Sequence, residues 1–181
     1  MSQDINQQLS ASHTSSKGAS DDDSWMKKIW AWADAFKLLD SEVPRNKEAL
    51  LALRKLEILE PDLNEQDVRD VYRMNYIPDE LTLLTNLTEI HLSGINANHL
   101  PQNIGQLTKL TKLCISHSNL IALPNSIGQL SNLTELCIDE SKLTQLPENI
   151  GQLTSLDKLF ISRCNLKFLP SNIGQLGKLT I

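Results

Sequence analysis

The sequence predicts an α/β solenoid. This is a curved stack of short repeats with a parallel sheet on the concave side, short helices or turns on the convex side and a helical cap at the N-terminal end. Three observations carry the prediction. Leu-Pro-x-x-Ile-Gly-Gln-Leu occurs four times, beginning at Leu100, Leu123, Leu146 and Leu169, always 23 residues apart. A fixed period of that length is the signature of a stacked array. Between copies runs an alternation such as Leu113-x-Ile115, which reads as a strand with one face buried. Upstream, Trp25, Ile29, Trp32, Phe36 and Leu39 fall at i, i+4, i+7, i+11 and i+14, one face of a helix.

Taken in order, residues 1–23 are Ser, Gln, Asp and Ala with few large apolar groups. Such a segment buries too little surface to offset its ordering entropy, so a disordered tail is expected. A targeting leader is the other reading, and the plain tail is preferred. Residues 24–76 read as the cap. Asp21 to Asp23 place acids at the positive end of the helix dipole, and Ser24 supplies a capping hydroxyl. A membrane-surface helix is disfavoured, because Lys27, Lys28 and Lys37 stand beside Asp34 and Asp40 and polybasic binding needs more. A lid over the open end of the array is preferred, since a terminal repeat cannot bury its own face.

Within the cap, residues 43–63 read as a degenerate first unit. Val43-Pro44, Leu50, Leu53, Leu56, Ile58 and Leu63 match Leu100-Pro101, Leu107, Leu110, Leu113, Ile115 and Leu120, with Lys47 where isoleucine is expected. Asn64 to Met74 is then an inserted short helix. Residues 77–181 form the regular array of four full units and one partial unit, starting at the looser copy Ile77-Pro78-Asp79-Glu80-Leu81. The last unit stops at Ile181 before its strand. It is expected to pack on another molecule, to form a partial lid or to continue in a longer parent chain.

The composition narrows the classes. The 181 residues carry a net charge of −5 and no basic run, which argues against a nucleic-acid partner. No apolar stretch has transmembrane length, and the N-terminus lacks the apolar core of a secretory signal. Three cysteines, all inside repeats, suit a reducing compartment. The sequons Asn86-Leu87-Thr88 and Asn132-Leu133-Thr134 occupy equivalent repeat positions and are read as coincidence.

The unit Leu110-x-x-Leu113-x-Ile115-x-x-Ser118-x-Leu120, closed by Leu-Pro-x-x-Ile-Gly-Gln-Leu, resembles the leucine-rich repeat in its 23-residue bacterial and Ras-suppressor-like form. The resemblance covers residues 77–181 fully and 43–63 loosely. It implies that the non-leucine strand positions face outward on the concave sheet. It also implies an asparagine ladder where Ile95, Ser118, Ser141 and Cys164 stand here. Serine is shorter, cysteine donates weakly and isoleucine does neither, so a less rigid array is expected, with Asn119 and Asn165 compensating in part. The resemblance further implies an effector-like bacterial protein. Its location is then cytoplasmic, or secreted without a signal peptide into a host cell cytosol.

The outward positions fall into four columns. The first, Glu89, Lys112, Glu135 and Lys158, alternates in sign and reads as a register-fixing rim of weak surface pairs. The second is His91, Cys114, Cys137 and Phe160. The third is Ser93, Ser116, Asp139 and Ser162, and the fourth is Gly94, His117, Glu140 and Arg163. A metal at His91, Cys114 and Cys137 is disfavoured, because side chains on a flat sheet point one way and converge poorly. A Cys114–Cys137 disulfide is disfavoured by its strict geometry. A cysteine nucleophile lacks an evident pocket or oxyanion site. No catalytic residue, metal or cofactor is therefore expected.

The function expected is non-enzymatic binding of another protein, host or cytosolic, on the concave face. A five-strand face spans about 19 Å, enough for one helix or loop. The expected contacts are His91, Cys114, His117, Cys137, Asp139, Glu140, Phe160 and Arg163, with Phe160 as anchor and Asp139-Glu140 preferring a basic group. Two other readings stay open. One is the substrate-recognition part of a larger enzyme, such as a bacterial ubiquitin-ligase effector. The other is a structural repeat that self-associates through its open C-terminal unit.

Overall fold

The computed structural model describes residues 23–59 and 74–179. The tail expected over 1–23 (apart from Asp23), Leu63 and the inserted helix expected over 64–74 (apart from Met74) lie outside the described residues.

Five short strands run parallel in one open sheet: β1 Lys55–Ile58, β2 Glu89–Ser93, β3 Lys112–Ser116, β4 Glu135–Asp139 and β5 Lys158–Ser162, ordered as in the sequence. From β2 to β5 the 23-residue period sets the register, and β1, 34 residues before β2, joins it. Leu56, Ile90, Leu113, Leu136 and Leu159 form one row, and Ile58, Leu92, Ile115, Ile138 and Ile161 the next. In β1 to β4 these residues are sealed from solvent, whereas Leu159 and Ile161 in the outer strand β5 are half-buried. Alternation therefore sends every second side chain into the core and leaves the others on the concave face. Threonines add a smaller ladder at the strand entrances: Thr111 and Thr134 donate their backbone N–H groups to Thr88 and Thr111 carbonyls at 2.8 Å each.

From the second unit on, the chain reversals on the convex side are 3-10 turns, at Asp79–Leu83, Ile104–Gln106, Asn125–Gln129, Glu148–Gln152 and Ser171–Gln175. Proline precedes four of them, at Pro78, Pro124, Pro147 and Pro170, where its fixed φ suits the start and no N–H is missed. Gly105, Gly128 and Gly151 serve close packing between units. A Cβ on Gly128 would stand 2.4 Å from the carbonyl oxygen of Asn149 in the next turn.

The N-terminal helix α1 spans Ser24–Ala35. Ser24 is its first helical residue, so the cap expected at Ser24 falls instead at Asp23, whose side chain makes no capping hydrogen bond. The Asp23 carboxylate instead meets Lys47 Nζ at 2.8 Å. The buried face also differs from the expected one. Met26, Ile29, Trp32 and Ala33 are sealed, Trp25 is only half-buried and Leu39 is 50% exposed. The cause is the helix end: Lys37 takes a left-handed φ of 54°, the chain turns, and Leu38 rather than Leu39 points into the core. The helix packs on the Asp79–Leu83 turn, where Trp32 Nε1 donates to the Tyr76 carbonyl at 3.0 Å.

A second helix, α2 Lys47–Ala52, replaces the 3-10 turn of the later units. Asn46 caps it by accepting the Ala49 N–H at 2.8 Å. Leu50 fills the core, and β1 follows directly in register with β2.

The loops after the strands use serine in place of asparagine. Ser118 and Ser141 are buried, and their hydroxyls accept from the Leu120 and Leu143 N–H groups at 3.4 and 3.3 Å. Cys164 Sγ lies 3.1 Å from Ser141 Oγ, and Ile95 is simply packed into the core. Asn119 does not compensate inside the loop as expected. Its amide reaches outward to the Asn96 side chain of the preceding unit, because the residue after a buried serine faces the other way.

Candidate functional site

Strand pairing carries the outward side chains into straight columns across the concave face. One column runs Glu57, His91, Cys114, Cys137 and Phe160, and its neighbour runs Lys55, Glu89, Lys112, Glu135 and Lys158. Ser93, Ser116, Asp139 and Ser162 form the third. Lys55 and Glu57 extend the two long columns by one unit and were not singled out from the sequence. The signal was present: Leu56-x-Ile58 is the same alternation as Leu113-x-Ile115.

Exposure is highest at the C-terminal end of the central column. Glu57, His91, Cys114 and Cys137 are half-buried, and Phe160 is 57% exposed. The result is a largely uncharged strip ending in an open aromatic ring.

The charged rim is less regular than its alternating signs suggest. Glu135 accepts Lys112 at 3.0 Å and lies 3.9 Å from Lys158, which closes the ladder there. Lys55 turns instead to Glu57 on its own strand at 2.9 Å, and Glu89 approaches His91 Nε2 at 3.4 Å. That last approach lacks hydrogen-bond geometry, and His91 Nε2 is buried without another partner. The lysine beside Glu135 lowers its carboxyl pKa, and the carboxylate raises that of Lys112.

Side chains on the sheet were expected to converge poorly, yet it brings donor atoms together at Cys114, Glu135 and Cys137, a set without His91. The thiols of Cys114 and Cys137 and one Glu135 oxygen lie within 4.8 Å of one another. Both thiols are free. The Cys137 thiol lies 3.3 Å from Glu135 Oε1 and the Cys114 thiol 4.0 Å from it. Burial first, and for Cys137 the adjoining thiol and carboxylate, push both thiols above their ordinary range. A thiolate nucleophile needs the opposite shift.

The fourth column sits one residue past the strands, and its backbone is left-handed throughout: Gly94 at φ 71°, His117 at 46°, Glu140 at 45° and Arg163 at 49°. This lets the Gly94, His117 and Glu140 N–H groups continue the ladder, for instance His117 N to Asp139 O at 3.1 Å. Non-glycine residues rarely adopt this region, and three in a row at one repeat position concentrate strain beside the concave face. Only Gly94 hinted at it in the sequence.

Four of the expected contact residues are joined in one chain of polar contacts here. His117 Nε2 lies 2.8 Å from Glu140 Oε2, Arg163 bridges Glu140 and Asp139, and Ser162 donates to Asp139. The acidic step therefore already carries its own base, and a basic group on a partner has to displace Arg163. The Arg163 guanidinium and the Ser162 hydroxyl hold the Asp139 carboxyl down at about 2. Because this folded value lies below the ordinary 3.8, the contact supports the fold above that pH and is lost as pH falls through about 2. An NMR titration should find Asp139 near the lower value, and Arg163→Ala should return it toward 3.8. An unshifted Asp139 in the intact chain rules the pairing out.

No family model matches the chain, and no curated protein matches it. Solved structures do. A leucine-rich repeat protein of Leptospira interrogans superposes with a TM-score of 0.62 and 32% identity, over 85% of this chain and 38% of its own. The leucine-rich repeat domain of the type III effector XopL gives 0.60 and 24%, over 86% and 59%. The Arabidopsis receptor kinase HAESA, in complex with the peptide hormone IDA and the co-receptor SERK1, gives 0.51 and 30%, over 57% and 18%. The chain thus spans less than two thirds of the length of each. Among the described residues no helix is long and apolar enough to cross a membrane. With a parallel sheet that from β2 to β5 advances one strand per 23 residues and a tight convex turn between those strands, the fold of this chain is the leucine-rich repeat solenoid.

Proposed function

We propose that the concave sheet face binds another protein, and that the column from Glu57 to Phe160 is the centre of the contact. The observation that carries this is the contrast between the two sides. The convex turns repeat one framework sequence, whereas the concave column changes from Glu57 to His91 to cysteine to an aromatic ring that is 57% exposed. Solenoid surfaces recognise partners through such variable positions on a constant frame. Phe160 is the anchor, since desolvated aromatics dominate interface energetics. His117, Glu140, Arg163 and Asp139 form a polar border whose internal pairs exchange for partner contacts.

Structural likeness to HAESA, solved with a bound peptide hormone, supports a protein or peptide as the ligand class. Likeness to the Leptospira protein supports a bacterial setting. A host protein as partner extends the resemblance to effector proteins.

The test is capture from bacterial and host extracts, followed by affinity measurement with the purified partner. Phe160→Asp should weaken binding about thirtyfold or more, the scale of an interface hot spot. Gln102→Glu, on the convex turn, should leave it unchanged. If Phe160→Asp binds like the unaltered chain while the convex variant does not, the binding face is the other one.

A further inference from the structure

We propose that Cys114, Glu135 and Cys137 form a binding site for a thiophilic divalent cation, zinc foremost, on the concave face. Cys114 and Cys137 are register partners on β3 and β4. Glu135 lies two residues before Cys137 on the same strand, so strand alternation turns both side chains to one face. The Glu135 carboxylate reaches over the thiols: its Oε1 is 3.3 Å from the Cys137 sulfur and 4.0 Å from the Cys114 sulfur, and all three donor atoms lie within 4.8 Å of one another.

Those separations suit one metal. Zinc–sulfur bonds of about 2.3 Å and zinc–oxygen bonds of about 2.0–2.2 Å in a tetrahedron put neighbouring ligand atoms about 3.5–3.8 Å apart. The two sulfur–oxygen edges bracket that range and the sulfur–sulfur edge lies within 4.8 Å, so closure on an ion needs side-chain shifts of at most about an ångström rather than a new backbone.

The donor set selects the ion. Magnesium and calcium take six or more oxygen ligands, and a single carboxylate does not supply them. Two sulfurs with one oxygen suit zinc. In the metal-free state the thiols keep their protons, and binding exchanges two S–H protons for two sulfur–metal bonds, with the protons released to solvent. Two thiolates and one carboxylate carry one negative charge more than the ion neutralises. Lys112, 3.0 Å from the same Glu135 oxygen, offsets it. The fourth coordination position faces the open concave side, where water occupies it.

The site needs no protein partner, so its test is independent of the concave-face reading. The reduced, metal-free full chain is dialysed against zinc alone, and bound metal is counted by elemental analysis. In a parallel titration cobalt replaces zinc. One zinc per chain is expected, with a sulfur-to-cobalt charge-transfer band in the near ultraviolet. Cys164→Ser, which removes the third thiol, should keep both signals. Cys114→Ser with Cys137→Ser should lose both, and Glu135→Gln should weaken zinc binding measurably. Substoichiometric or non-saturating zinc, a cobalt complex without the sulfur band, or full binding by the double serine variant overturns the proposal. Unchanged affinity in Glu135→Gln overturns the three-ligand site. Should the double variant not fold, alkylation of the folded chain's thiols replaces it, with loss of both signals expected and retained binding overturning the site.

Discussion

Trp32→Ala is expected to lower stability by about 3–5 kcal/mol, the usual cost of removing a large buried aromatic. Trp32 is fully buried among Met26, Ile29 and Ala33, and its indole N–H is bonded to the Tyr76 carbonyl. Truncation opens a cavity between the helix and the first convex turn and leaves that carbonyl without the indole N–H. Domains of this kind hold about 5–15 kcal/mol in all, so the loss reaches a large part of the total. Trp30→Ala is the comparison. Trp30 is half-buried and donates to the Pro44 carbonyl at 2.9 Å, so its loss should cost clearly less. Urea midpoints of the two variants check the order. A Trp32→Ala midpoint within error of the unaltered chain means that the helix is not part of the cooperative unit. Removing residues 24–42 altogether would then leave the melting curve unchanged. The lid reading requires destabilisation or aggregation instead, because the first unit's core would open to water.

Gly128→Ala is expected to cost about 1–3 kcal/mol or more, the scale of an overpacked core. The added methyl would sit 2.4 Å from the Asn149 carbonyl oxygen and 2.8 Å from the Gln152 side-chain oxygen. The first obstacle is backbone, so relief requires the next turn to move. Gly174→Ala is the internal control, because a Cβ there meets nothing within 4 Å. The same substitution at the same repeat position should then be neutral, or stabilise by several tenths of a kcal/mol through a less flexible unfolded chain. Thermal unfolding of the pair separates packing from propensity. Equal losses in both would mean that the glycine serves local conformation rather than contact between units.

Much of the fold was legible because a repeat is a ruler. Leu56 and Ile58 could be aligned with Leu113 and Ile115 by spacing alone, and the sheet places them in shared rows. The candidate site was legible in part. His91, Cys114, Cys137 and Phe160 share a column because register follows the period. The helix face departs from the pattern at its C-terminal end, where the chain turns at Lys37 and Leu38 replaces Leu39 in the core. The left-handed backbone at His117, Glu140 and Arg163 was hidden because none of them is glycine. Self-neutralisation of Asp139 and Glu140 was hidden because Arg163 lies one unit later and meets them only across the sheet.

By itself, then, the sequence determined the period, the buried rows and the membership of each outward column. These follow from alternation within a strand and repetition between strands, and both are local. Only the tertiary structure decided which column neighbours touch. Whether Glu135 leans to Lys112 and over two thiols, or whether Lys55 leaves Glu89 for Glu57, depends on side-chain rotamers and on the space left by adjacent units. Spacing along a chain carries no record of either, so the Cys114–Glu135–Cys137 cluster and the Arg163 bridge emerge only once the strands lie side by side.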